Sequence, residues 1–192
     1  MNPHLSANLN LSTGTIDGSP LVSRTLSELS ESFADRKAYD AALRNGNPVI
    51  YTVTPMKPAE GGGQLHYGLA TILPGKIGDE YFLTKGHAHG RREAAEVYIG
   101  LKGRGALLLE NIQTGESSMH ELTVNSVVYV PGFTAHRTVN TGEEPFVYIG
   151  IYPADAGHDY NAIGKNNFRY VIVERNGKPS MVERKEYVKR KF

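Results

Sequence analysis

The sequence predicts a mostly β fold, an antiparallel sandwich or barrel with short helices near the N-terminus. Three observations carry this. After Pro48 the chain passes through short runs rich in β-branched and aromatic residues, among them VIYTVTP, LHYGLATIL, AEVYIGLKG, GALLLEN, SVVYVP and PFVYIGIY. PG, GG, TG, NG and PGF turn signals separate them at roughly 8 to 12 residues, the interval of all-β sandwiches and barrels. The 21 glycines and 10 prolines supply many tight turns. At 192 residues the chain is long enough for one ordinary domain with one core.

Taken in order, residues 1–24 read as an arm in which LNLSTGTIDG forms strand, turn and strand. Its few apolar residues predict that it frays or packs on another surface, such as a second subunit of a homodimer. Residues 25–47 form a helical segment: Thr25 is an N-cap, and LSELSESFADRKAYDAAL reads as one or two amphipathic helices ended by Asn45-Gly46. Residues 48–192 hold the strands, including EYFLTKGHAH, SSMHELTV and HRTVN, with no linker or repeat. The segment closes with a hairpin through Asn176-Gly177 and a charged end.

Composition narrows the function. With 21 basic and 20 acidic side chains, the net charge of +1 makes no case for nucleic acid or an anionic membrane, so the expected partners are small molecules. The absence of cysteine excludes disulfides, thiolate metal sites and a cysteine nucleophile. The N-terminus lacks a basic n-region, and no run approaches the ~18 to 20 apolar residues of a membrane span. A soluble cytoplasmic protein is expected.

The stretch TKGHAHGRREAAEVYIGLKG concentrates the chemistry. On a strand, His87 and His89 share a face; turned inward, both are costly unless something satisfies them, as a metal ion does. Glu96 follows the polar turn GRREAA and opens the next strand, so a hairpin returns it beside the histidines. His136, after VPGFTA, comes from the facing sheet. Three imidazoles and a carboxylate suit a divalent Fe, Mn, Ni or Zn ion with positions left open. An isolated HxH pair is more often ordinary polar structure than a ligand pair. Here, however, Gly103 follows Glu96 by seven residues and Asn140 follows His136 by four.

These placements resemble the two motifs of the cupins, which implies a single cupin-type β-barrel (jelly roll). The wider gap between His89 and Glu96 departs from the common cupin pattern. TKGHAH, AEVYIGLKGRG, VYVPGFTAHRTVNTGEEPF and YPADAGHDY, in that order, are similar to the cupin-type glucose-6-phosphate isomerases, also called phosphoglucose isomerases, of archaea and some bacteria. The resemblance runs from about Pro48 to Ile163.

It implies metal-dependent interconversion of glucose 6-phosphate and fructose 6-phosphate, a step of glycolysis and gluconeogenesis. One divalent ion per subunit, Fe(II) first and Mn, Ni or Zn after it, is held by His87, His89, Glu96 and His136. By the same resemblance Thr84 and Gly86 contact the phosphate, and Tyr51 and Tyr152 reach the same end of the substrate. Ala70 stands where a threonine is expected, with Thr71 on the opposite face. Glu96 is the candidate base, although a hydride shift needs none. His158 aids ring opening or proton transfer from a loop that also carries Tyr160, and Tyr98, two past Glu96, faces a substrate hydroxyl. Strand alternation turns Lys85 away as a solvated lysine. His4, His66 and His120 receive no role. The alternatives are another metal-dependent sugar-phosphate isomerase or epimerase, then a cupin Fe(II) oxygenase or a non-catalytic sugar-binding cupin.

Overall fold

The computed structural model describes residues 6–163 and 167–190; His4 lies outside them. The arm forms β1 (Leu9–Asn10) and β2 (Thr15–Ile16), a small hairpin. It seats itself on its own chain, where Ile16 packs with Met56, Leu69 and Val147 and Thr54 Oγ1 donates to the Gly14 carbonyl at 3.1 Å. Ile16 over an apolar sheet face thus anchors the hairpin rather than leaving it to fray.

β3 (Val22–Thr25) leads into a 3-10 turn (Leu26–Leu29), whose Glu28 carboxylate accepts the Thr25 N–H at 2.8 Å. α1 (Arg36–Arg44) is capped by Asp35, which accepts the Ala38 N–H at 2.9 Å, and ends at Asn45. Tyr39 is its buried anchor, donating through its hydroxyl to the Leu26 carbonyl.

The strands that follow are β4 (Val49–Met56), β5 (Leu65–Ile72), β6 (Lys76–Ile77), β7 (Glu80–Tyr81), β8 (Glu96–Lys102) and β9 (Arg104–Asn111). Then come β10 (Ser117–Thr123), β11 (Val127–Val130), β12 (Thr134–Asn140) and β13 (Phe146–Pro153). A six-stranded antiparallel sheet has the order β11-β8-β13-β5-β4-β3, and a three-stranded one the order β10-β9-β12. Side chains of both meet in one core that includes Ile50, Ile72, Leu107, Val139 and Phe146. Asn140, fully buried, ties them together: its amide donates to the Ile72 and Glu144 carbonyls, each at 2.8 Å, and its oxygen accepts the Gly142 N–H.

The chain ends in the hairpin β14 (Tyr170–Arg175) and β15 (Lys178–Glu183). Asn176 and Gly177 both have positive φ, as a two-residue type I′ turn requires. The charged end is a short helix, α2 (Arg184–Lys189), anchored by Tyr187 against Val171, Val173 and Val182. Among the described residues no helix is long and apolar enough to cross a membrane.

One predicted strand is not regular. Of EYFLTKGHAH only Glu80–Tyr81 pairs as a strand; beyond it isolated bridges join Leu83 to Val139, His87 to His136 and Ala88 to Asp159. Gly86 breaks the pleat at φ 75°. A Cβ at Gly86 would lie 2.6 Å from the Phe168 ring and 3.0 Å from the His136 carbonyl, so only glycine permits the approach to β12.

Candidate metal centre and substrate cavity

Each member of the cluster is placed by a different element. β8 opens with Glu96, β12 carries His136 from the opposing sheet, and the irregular stretch between β7 and β8 brings His87 and His89. The bridge between His87 and His136 does the positioning that strand alternation was expected to do. One ligand-type atom from each of His87, His89, Glu96 and His136 lies within 4.8 Å of the others. Glu96 Oε2 is 3.2 Å from His89 Nε2 and 3.1 Å from His136 Nε2. His89 Nδ1 lies 2.9 Å from the Ala94 carbonyl and His136 Nδ1 3.3 Å from that of Thr134, which turns both Nε2 atoms toward the centre.

The electrostatics fit a cation. Burial favours the protonated form of Glu96, but the imidazoles of His136 and His89 outweigh it and hold the carboxyl well below the usual carboxylate range. Burial, then the neighbouring His136 and His158, depress His87 far below an ordinary imidazole, which keeps it neutral. For His89 burial opposes the charge, yet the bond to Glu96 raises it. The buried Nε2 of His87 has no hydrogen-bond partner, and that of His136 faces only the Glu96 carboxylate at 3.1 Å, outside good hydrogen-bond geometry. Such orphaned nitrogens are costly in a protein interior, and a divalent ion satisfies both at once. The residues present therefore fit a metal.

Beside the cluster is a cavity of about 330 Å³. His87, Glu96 and His136 form part of its wall, while His89 does not reach it. The other residues singled out in sequence, Tyr51, Thr84, Gly86, Tyr98, Tyr152, His158 and Tyr160, all line it. Burial raises the phenols: Tyr152 is pushed up to about 12, with Glu96 adding to the effect, and Tyr98 and Tyr51 also rise. All three stay neutral O–H donors near neutral pH. The His158 ring lies 4.4 Å from that of His87 and stacks with Tyr160 at 6.2 Å. Burial draws its pKa below the ordinary histidine value.

Thr84 is held from behind. Its N–H donates to the Thr138 carbonyl and its Oγ1 accepts the Thr138 N–H at 3.1 Å, leaving the hydroxyl proton for the cavity. Ala70 lines the wall, whereas Thr71 faces the arm, where a Cβ on Gly14 would come within 2.1 Å of its hydroxyl. The regular pleat of β5 makes that alternation reliable. His66 lies 2.9 Å from the Ala59 carbonyl and His120 from Ser118, ordinary partners for both.

Lys85 departs from expectation. Though exposed, it lines the cavity, its Nζ 4.8 Å from the centre of the Tyr160 ring, because the stretch has no pleat to turn it away. Among the polar wall residues, three have no signal in the sequence: Arg24, set opposite Tyr51 by the β3–β4 register, Lys57 and Tyr148. Arg137 stands behind the wall. Only 2 % exposed, it donates to the carbonyls of Thr84 and Lys85, and burial lowers its guanidinium to about 9. The one signal for it in sequence is a charge within the strand run HRTVN.

The family model described as glucose-6-phosphate isomerase (GPI) matches residues 23–190. A protein of Pyrococcus abyssi (strain GE5 / Orsay) named glucose-6-phosphate isomerase is 40% identical over 179 residues, 93% of this chain and 94% of the relative. One of the same name from Thermococcus litoralis is 42% identical over 170 residues, 88% and 89% of the two chains. Among solved structures, oxalate oxidase in complex with the substrate analogue glycolate superimposes with a TM-score of 0.49 at 12% identity, covering 58% of this chain and 55% of that one. A family match that takes in nearly all of both sheets and of the cavity lining, with relatives aligned over nearly their full length, leaves one conclusion: the chain belongs to the glucose-6-phosphate isomerase family.

Proposed function

We propose that this protein is a metal-dependent aldose–ketose isomerase that interconverts glucose 6-phosphate and fructose 6-phosphate. The observation that carries the reading is the convergence of four donor atoms, three of whose residues line a cavity rimmed by phenols and basic side chains. The family names of its relatives support the choice of substrate.

His87, His89, Glu96 and His136 would hold the ion, with Fe(II) the first candidate and Mn, Ni or Zn the others. When bound, a divalent ion supplies Lewis acidity toward neighbouring sugar oxygens. The chain's own groups do the rest. Glu96, ionised beside the cavity, is placed to carry a proton between C1 and C2 of the open-chain sugar, and general-base help of this kind contributes about 10²- to 10⁴-fold. Tyr98 and Tyr152 donate hydrogen bonds to sugar hydroxyls. The Thr84 hydroxyl, the Gly86 backbone and Tyr51 receive the phosphate, and Arg24, Lys57 and Lys85 supply positive charge around the same cavity. His158, on the far loop beside the cavity, serves ring opening as a neutral imidazole.

We further propose a homodimer in the cytoplasm, the compartment that holds phosphorylated sugars. β11 is an edge strand with Val127 62% and Tyr129 61% exposed, a surface that a second copy would cover. Light scattering that gives a monomer at micromolar concentration removes this part. The isomerase reading is tested by stripping the protein with EDTA and restoring Fe(II), Mn(II), Ni(II) or Zn(II) in turn. Activity should vanish on stripping and return with at least one ion; undiminished isomerisation by metal-free protein overturns the reading.

A further inference from the structure

The six residues between His89 and Glu96 hold two arginines, and both reach across to the loop that carries His158. Arg92 faces two ways: Nη1 donates to the His89 carbonyl at 2.9 Å, and Nη2 donates to the Asp159 carboxylate. A single planar guanidinium thus bonds the backbone of a metal-cluster residue and the side chain next to His158. Its fork of donors makes that double contact possible, where a lysine offers only a point charge. Arg91 adds a second tie, with Nη2 3.0 Å from Asp155 Oδ1 and its backbone N–H donating to the Ala156 carbonyl at 2.8 Å. The backbones also pair directly: Ala88 N–H donates to the Asp159 carbonyl at 3.2 Å, and Asp159 N–H to that of Ala88 at 2.8 Å.

The two ion pairs are not equivalent. The Arg91 and Asp155 side chains are 42% and 40% exposed, those of Arg92 and Asp159 32% and 28%. Solvent and salt screen the first pair more, so the second carries more of the restraint. His158 sits at the rim of the cavity with its ring against His87, Tyr152 and Tyr160, on a loop whose backbone is held by these ties, so its place beside His87 depends on where that backbone is held.

We propose that Arg92 is a positioning residue for the reaction: its bridge from the His89 carbonyl to the Asp159 carboxylate holds His158 at working distance from the metal cluster. The inference rests on the reading of His158 as a participant in ring opening or proton transfer. It explains the long stretch between His89 and Glu96 as a clamp on the opposing loop.

The test compares Arg92→Ala, His158→Ala and the double variant as metal-loaded proteins, using glucose 6-phosphate. The readouts are kcat, KM, metal content, and amide hydrogen exchange at Ala88 and Asp159. Arg92→Ala should lower kcat about tenfold, within the coupling range of residues in one network, and by less than about twofold once His158 is already alanine. Metal content should match the parent, and exchange at the two amides should quicken about tenfold as the clamp opens. Unchanged kcat in Arg92→Ala, losses that multiply in the double variant, or a loss that follows metal content each overturns the role in the reaction. Full kcat in His158→Ala overturns the role given to His158 and the catalytic half of this inference with it. The exchange measurement stands apart from that outcome: faster exchange in Arg92→Ala supports the clamp, and unchanged exchange overturns it.

Discussion

Glu96→Gln separates two roles that one carboxylate combines. Oε2 lies 3.1 Å from His136 Nε2 and 3.2 Å from His89 Nε2 in a side chain 5% exposed. Glutamine has nearly the same shape, so the cavity keeps its form while one negative charge and one proton acceptor disappear. Hydrogen bonds to a charged group are each worth about 1.5–3 kcal/mol. Returning a buried carboxylate to a neutral amide removes a desolvation cost of several kcal/mol, so the fold should stay close to parental stability. Function should not. If Glu96 moves the proton, kcat falls at least about 10²-fold, or roughly 2.7 kcal/mol in the barrier, even at saturating metal. If it is a ligand alone, metal affinity falls and added metal restores most of the rate. The assay is kcat across a metal titration, with substrate deuterated at C2. Proton transfer through an enediol lets the label exchange into water, whereas a hydride shift carries it to C1. Complete retention of deuterium together with a metal-rescued Glu96→Gln variant refutes the base assignment.

His136→Ala removes the donor that β12 brings from the opposing sheet. Metal content by elemental analysis and isomerase activity should fall together while circular dichroism stays that of a β protein; full occupancy and full rate would show that His136 is no ligand. Gly150→Ala places a Cβ 2.6 Å from Glu96 Oε1, against the movable end of a side chain rather than backbone. Metal affinity should drop at least about tenfold, as for disturbed ligand orientation, while Tm changes by less than about 4 °C, the shift of roughly 1 kcal/mol at this chain length. Unaltered affinity contradicts the placement of the carboxylate. Asn140→Ala deletes three hydrogen bonds that tie β12 to β5 and to the following turn. At about 1 kcal/mol each the loss is roughly 3 kcal/mol, or about 6–12 °C in Tm by thermal denaturation; a shift below about 2 °C contradicts it.

By itself the sequence determined the parts whose signals are local. Runs such as VIYTVTP and PFVYIGIY became β4 and β13, Asn176-Gly177 made the terminal turn, and Asp35 and Asn45 bracket α1 within the predicted helical segment. The side of β5 that Ala70 and Thr71 face was also legible, because a regular strand has a fixed period of two. The four residues of the cluster are legible in the sequence from spacing and resemblance. Only the tertiary structure decided how they meet. His87 and His89 lie in a stretch with no regular period; a bridge to His136, far along the chain, aims His87, and the Ala94 carbonyl turns His89. For the same reason alternation misjudged Lys85, and nothing local showed that Arg24 would face Tyr51, that Arg137 would brace Thr84 or that Arg92 would reach Asp159. Contacts between segments distant in sequence depend on the register and closure of the two sheets. Those follow from the packing of the whole core, a property that no short window of residues contains.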